Sequence, residues 1–139
     1  MVCRVRVRIR VDRLVEETSA LVSSGFESDA ADIVIPIDLA KKLGLWPPKG
    51  SDTALLDTGG GEVSSPYYRE CADLILLLDD REPKEVRVNI IVNPYVDEVA
   101  LSDYVASELG IILLDLKRGE WRLKDDPPDK VRRGVDIVF

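Results

Sequence analysis

The sequence predicts a mainly β domain, a small closed or partly open barrel carrying one or two short helices. Three observations lead there. The N-terminus alternates strictly between apolar and charged residues, further short apolar runs are separated by Gly-, Pro- and Asp-rich turns, and only two segments show helical spacing with a glycine ending. Many short strands with few helices bury their apolar faces by curling into a barrel.

Residues 2 to 11 place Val5, Val7, Ile9 and Val11 on one face and Arg4, Arg6, Arg8 and Arg10 on the other, a strand with one buried side. The arginine row reads as a solvated face that also guards a sheet edge against mispairing. A basic stripe for nucleic acid, extended by Arg13, is the alternative. Asp12, Glu16 and Glu17 stand close by in an acidic chain, which favours the solvated face. Residues 14 to 22 continue as strand and end in the small-residue turn Ser23-Ser24-Gly25.

Phe26 to Asp32 is a polar, acidic loop, and Ile33-Val34-Ile35 a short apolar strand. Pro36 opens a helix with Leu39, Ala40 and Leu43 on one face, closed by Gly44. Thr53 to Asp57 reads as strand, Gly59-Gly60-Gly61 as a hairpin tip, and Glu62 to Tyr67 as its return. Ala72 to Leu78 and Val86 to Val92 are two further strands. Ser102 caps a helix over Asp103 to Leu109 that Gly110 ends. Leu113 to Leu116 and Glu120 to Leu123 form a hairpin about Lys117-Arg118-Gly119. Residues 124 to 139 read as a proline-containing spacer followed by a strand, Val135 to Phe139, available to a dimer.

At 139 residues the chain is one domain, 45% hydrophobic and 32% charged, the balance of a globular protein. The apolar runs Leu74 to Leu78 and Ile111 to Leu114 are too short to span a bilayer. The charged N-terminus lacks the apolar centre of a signal peptide. Two distant cysteines make no disulfide framework, so a reducing cytoplasm is the expected setting. No histidine is present, which removes His-based catalysis and the commonest metal ligand. No cofactor or metal site is expected. The absence of glutamine, with only Asn89 and Asn93 as asparagine, matches heat-adapted proteins. A formal net charge of −7 argues against nonspecific nucleic-acid binding.

The order of the pieces between residues 12 and 123 resembles the prokaryotic single-domain retropepsin-like aspartic proteases. In that family an apolar strand ends in Asp-Thr/Ser-Gly, and an Ile-Pro helix segment, a glycine-tipped flap, paired strands and an apolar pair with glycine follow. Here Ala20 to Gly25, Ile35 to Leu45, Asp57 to Val63, Ala72 to Val92 and Ala100 to Ile111 stand in those places. The best match is Ile35-Pro36-Ile37-Asp38-Leu39-Ala40-Lys41-Lys42-Leu43-Gly44-Leu45. The resemblance implies a homodimer whose cleft, lined by Ser23, Ser24, Gly25, Thr58, Gly59, Gly60 and Gly61, binds a peptide or protein segment.

Two hallmarks depart from that family. Ser23 stands where the catalytic aspartate is expected, and Ala100-Leu101-Ser102 replaces the apolar pair with glycine. Aspartic proteases share one proton between two carboxyl groups, one activating water and the other polarising the carbonyl. A serine hydroxyl supplies no such base, and without histidine neither Ser23 nor Ser24 has a partner to make it a nucleophile. The expectation is a catalytically inactive domain with a binding or assembly role.

Asp57-Thr58-Gly59 spells the protease signature and makes an active aspartic endopeptidase the alternative. The 45 positions from Asp57 to Ser102 are fewer than the resemblance implies, and the Ile-Pro segment precedes this triplet, so it suits the flap. Asp29 and Asp32, just after the serine turn, are the remaining candidate carboxylates, with a solvated acidic loop as the plainer reading.

Overall fold

A computed structural model describes residues 3–22, 25–57 and 62–137, with the side chains of residues 56, 57, 62 and 63 outside the description. Alternation dictates the first hairpin: β1 (Cys3–Val11) and β2 (Leu14–Val22) pair antiparallel from Cys3↔Val22 to Val11↔Leu14. Asp12 takes the positive φ of 53° that this tight connection requires. Then come β3 (Asp32–Ile35), α1 (Ile37–Lys42), β4 (Asp52–Asp57), β5 (Glu62–Leu76), β6 (Lys84–Val92) and β7 (Val99–Leu101). The chain ends with α2 (Asp103–Glu108), β8 (Ile111–Asp115), β9 (Glu120–Leu123) and β10 (Arg132–Arg133).

Six strands close a barrel in the order β1-β2-β7-β3-β6-β5, and β5 returns to β1 through Val7↔Leu76 and Arg10↔Asp73. β4 hangs outside the ring and, among the described residues, pairs with β5 alone. The segment β8-β9-β10 forms a separate three-stranded sheet. Inside the barrel, Val5, Val7 and Ile9 from β1 meet Ile33, Ile35, Leu74, Leu76, Ile90 and Leu101, all essentially without solvent contact. Each such side chain contributes about 1.5–3 kcal/mol by leaving water. Leu43 and Leu109, the C-cap residues that follow α1 and α2 and precede Gly44 and Gly110, press into the same core. Those glycines take φ of +74° and +77°, the left-handed ending that a β-carbon would strain. Among the described residues no helix is long and apolar enough to cross a membrane.

The structure departs from the sequence expectation in four places. First, Glu62 to Tyr67 and Ala72 to Leu78 are not two strands but parts of one, β5, which ends at Leu76. A bulge between Tyr68 and Ala72 accommodates the polar Arg69-Glu70 step. Glu70 adopts φ 44° there, and its N–H donates to Asn89 Oδ1 at 2.7 Å. Second, β1 guards no edge, because β2 and β5 flank it on both sides.

Third, the expected strand over Val135 to Phe139 is replaced by Arg132–Arg133 on β9. Beyond it, Gly134 N–H donates to Gly119 O and Val135 N–H to Arg4 O, laying the segment against β1; residues 138 and 139 lie outside the described residues. A β-carbon at Gly134 would stand 3.0 Å from Gly119 O and 3.1 Å from Arg4 O, so those backbone atoms would have to give by a few tenths of an ångström. Fourth, the spacer holds a buried charge. Asp126 accepts the Leu123 N–H at 2.8 Å and two bonds from the Arg132 guanidinium, at 2.8 and 3.0 Å.

Candidate functional site

The end of β2 and the end of β7 come together. The two strands run parallel in the register Ala20↔Val99, Leu21↔Ala100 and Val22↔Leu101, so the chain leaves both at the same height. Ser23 and Ser24, which follow β2, lie outside the described residues; Gly25 is exposed in the turn after them. Of the second hallmark, Ala100 is partly covered, while Leu101 and Ser102 are fully buried.

Ser102 works as a structural residue. Its Oγ accepts the Val105 N–H at 3.3 Å as the cap of α2, its carbonyl accepts the Ala106 N–H, and its own N–H donates to Asp32 O at 3.1 Å. A helix beginning one residue after a strand leaves its first N–H groups unpaired, and a hydroxyl at this position satisfies one of them. The loop from Phe26 is stitched to the same helix start. Asp103 N–H donates to Phe26 O at 2.9 Å, and Asp103 Oδ1 accepts the Ser28 N–H at 3.0 Å.

Asp32 lies on the far side of β7 from β2, because β3 pairs with β7 through Ile33↔Leu101. Two strand spacings separate it from the end of β2, about 10 Å. Its carboxylate is buried and held by three donors: Tyr67 OH at 2.6 Å and Asn89 Nδ2 at 2.8 Å on Oδ1, and Ser28 Oγ at 2.5 Å on Oδ2. Burial, with the neighbouring carboxylate as a second cause, pushes the Tyr67 phenol up to about 12, so it remains a donor. Three fixed donors hold the Asp32 carboxylate in one orientation. Asp29 is exposed on the loop.

Asp57 closes β4 opposite Glu62 in the backbone register, and its side chain lies outside the described residues, as do Thr58, Gly59, Gly60 and Gly61. The hairpin base is the pair Asp52↔Tyr67. Five residues of strand carry Asp57 about 17 Å along the hairpin from that base. Asp57 therefore belongs to an arm outside the closed ring.

The hydroxyl, amide and phenol partners of Asp32 are not evident from local pattern. One signal does exist: in a chain with two asparagines and no glutamine, both asparagines are buried, Asn89 binding Asp32 and Asn93 turning the chain through the Tyr95 N–H.

Arg4, Arg6, Arg8 and Arg10 each meet a carboxylate within the chain, Arg6 and Arg8 sharing Glu17, while Arg13 makes no ion pair among the described residues. Arg4 forms a two-pronged pair with Glu98 at 2.8 and 3.1 Å, Arg8 binds Glu17, and Arg10 binds Asp73 and Glu85, each of the last two at 2.8 Å. Arg6 stands 3.7 Å from Glu17. Such a stripe presents alternating charge, a poor match to a polyphosphate backbone. Among the described residues no group of three or more His, Cys, Asp or Glu side chains is arranged to hold a metal ion. No protein-family model and no curated protein matches the chain.

Proposed function

We propose that the chain is a homodimeric retropepsin-like domain without its catalytic aspartate, which holds an extended peptide or a segment of a partner protein by strand addition beneath the β4–β5 hairpin. The observation that carries this reading is the parallel pairing of β2 with β7, which brings Val22, the last residue of β2, beside Leu101 and the Ser102 hallmark at one end of a closed barrel. The outlying hairpin, tied at its base to Asp32 through Tyr67, supports it as a cover for that end.

The chemistry supports binding over cleavage. Ser102 Oγ is spent on a helix cap and the Asp32 carboxylate on three fixed donors. A water-activating carboxylate at this end would have to come from elsewhere, and Asp57 starts from the outlying arm. The free thiols Cys3 and Cys71, each pushed up to about 11 chiefly by burial, suit a reducing cytoplasm and offer no reactive thiolate.

The test is a peptidase assay across acid to neutral pH, with wild type beside Asp57→Asn, and light scattering on the same samples. A dimer that cleaves no peptide in either form is the expected result. Cleavage that is blocked by a pepstatin-type inhibitor and lost in Asp57→Asn would establish the endopeptidase reading instead.

A further inference from the structure

A cavity of about 280 Å³ opens at the end of β7 away from Ser102, between β2, α1 and the loop after β6. Its apolar lining comes from Ile37, Leu39, Val96 and Val99. Five carboxylates join them, Glu16, Glu17, Asp38, Asp97 and Glu98, against a single ammonium, Lys42. The chain covers part of that charge itself: Arg8 takes Glu17 at 2.9 Å and Arg4 takes Glu98 at 2.8 Å. Among the described residues Glu16, Asp38 and Asp97 make no ion pair, and Arg4 reaches Asp97 only through the longer-range field.

We infer that this cavity receives an arginine side chain from a basic segment of a partner protein. Three properties select that occupant. A long aliphatic stem matches the apolar walls while its charged head stays at the mouth. Uncompensated carboxylates at that mouth match a guanidinium, whose planar fork binds carboxylate in two-pronged fashion, as Arg4 already does with Glu98. The volume lies just below the usual range for drug-sized ligands, roughly 300–1,000 Å³, and suits one long side chain.

The site is separate from the serine turn. Val99, which lines the cavity, begins β7, whereas Ser102 follows its end. Binding here therefore survives substitution at Ser23, and its failure leaves the reading of the turn untouched.

The experiment is fluorescence polarisation with a labelled peptide bearing one arginine between apolar residues, beside the same peptide carrying the neutral isostere citrulline. The expected result is salt-sensitive binding that weakens by about tenfold or more with citrulline. A similar loss is expected in the triple variant Glu16→Gln, Asp38→Asn, Asp97→Asn, which keeps the wild-type thermal unfolding because none of the three carboxylates holds an ion pair. Equal binding of the citrulline peptide, wild-type binding by the triple variant, or no binding at low salt would overturn the proposal. Free spermidine displacing the peptide at the peptide's own affinity would assign the cavity to a small polyamine and overturn the protein partner.

Discussion

Tyr67 donates its hydroxyl to Asp32 Oδ1 at 2.6 Å, and this one bond joins the base of the outlying hairpin to the strand beside Ser102. Removing the hydroxyl leaves the carboxylate with Ser28 and Asn89 as side-chain donors. Tyr67→Phe is expected to cost about 1–2 kcal/mol in urea unfolding. Amide exchange should speed up through β4 and the outer half of β5 more than in β1, whose inward residues are fully buried. Uniform acceleration across the barrel would mean that the bond supports the fold as a whole and not the hairpin in particular.

Ser102→Ala removes the cap of α2 and nothing else that the side chain supplies. A loss of about 1 kcal/mol is expected by thermal or chemical unfolding. Ser102→Gly, which supplies the residue that the retropepsin-like resemblance leads one to expect, should also be folded. Neither change should create peptidase activity.

The charge cluster at the C-terminal sheet sets the acid response. Arg132 holds Asp126 and Asp80 well below the ordinary carboxylate range, Asp80 at about 2, and Arg81 holds Asp125 at about 2. Unfolded aspartates titrate near 3.9, so the stabilisation is complete above about pH 4 and is lost as pH falls through about 2. Unfolding midpoints are expected to hold level from pH 7 to about 4 and then to fall steeply. Arg132→Leu leaves the buried Asp126 with Arg81, at 3.1 Å, as its remaining guanidinium partner and should cost about 1.5–3 kcal/mol at neutral pH, with a shallower acid slope.

The arginine stripe is expected to be energetically minor and silent toward nucleic acid. Arg8→Gln and Arg10→Gln each remove exposed or half-exposed ion pairs, which solvent screens, so unfolding midpoints are expected to stay close to wild type. An electrophoretic shift assay at low salt with single- and double-stranded probes should show no complex. Salt-sensitive binding that fades as Arg4, Arg6, Arg8 and Arg10 are replaced would restore the basic-stripe alternative.

Much of the strand pattern was legible because it is local. Val5, Val7, Ile9 and Val11 announce β1 by period alone, and Gly44 and Gly110 mark the helix ends by the φ that they supply. The joins that close the ring were not, since β2 meets β7 and β1 meets β5 across dozens of residues, and no periodicity encodes a partner. The bulge at Glu70 hid for a related reason: it depends on Asn89 Oδ1 from another strand. The pair of Asp126 with Arg132, in the expected spacer, was not legible because a buried ion pair looks in sequence like any other pair of charges. At the candidate site the serine turn and Ser102 were visible as motifs. The network that immobilises Asp32 was visible only once Ser28, Tyr67 and Asn89 met it in space.

The proposed homodimer, in the arrangement that the retropepsin-like resemblance implies, brings two copies of this chain together at their serine turns. The most direct measurement is crosslinking of Ser23→Cys, in a chain whose Cys71 is replaced by alanine, under mild oxidation and with a short bis-maleimide. A covalent dimer is expected in high yield at low protein concentration, while Lys42→Cys, on α1, gives none. A chain that stays monomeric by light scattering and forms no covalent dimer through position 23 would contradict it.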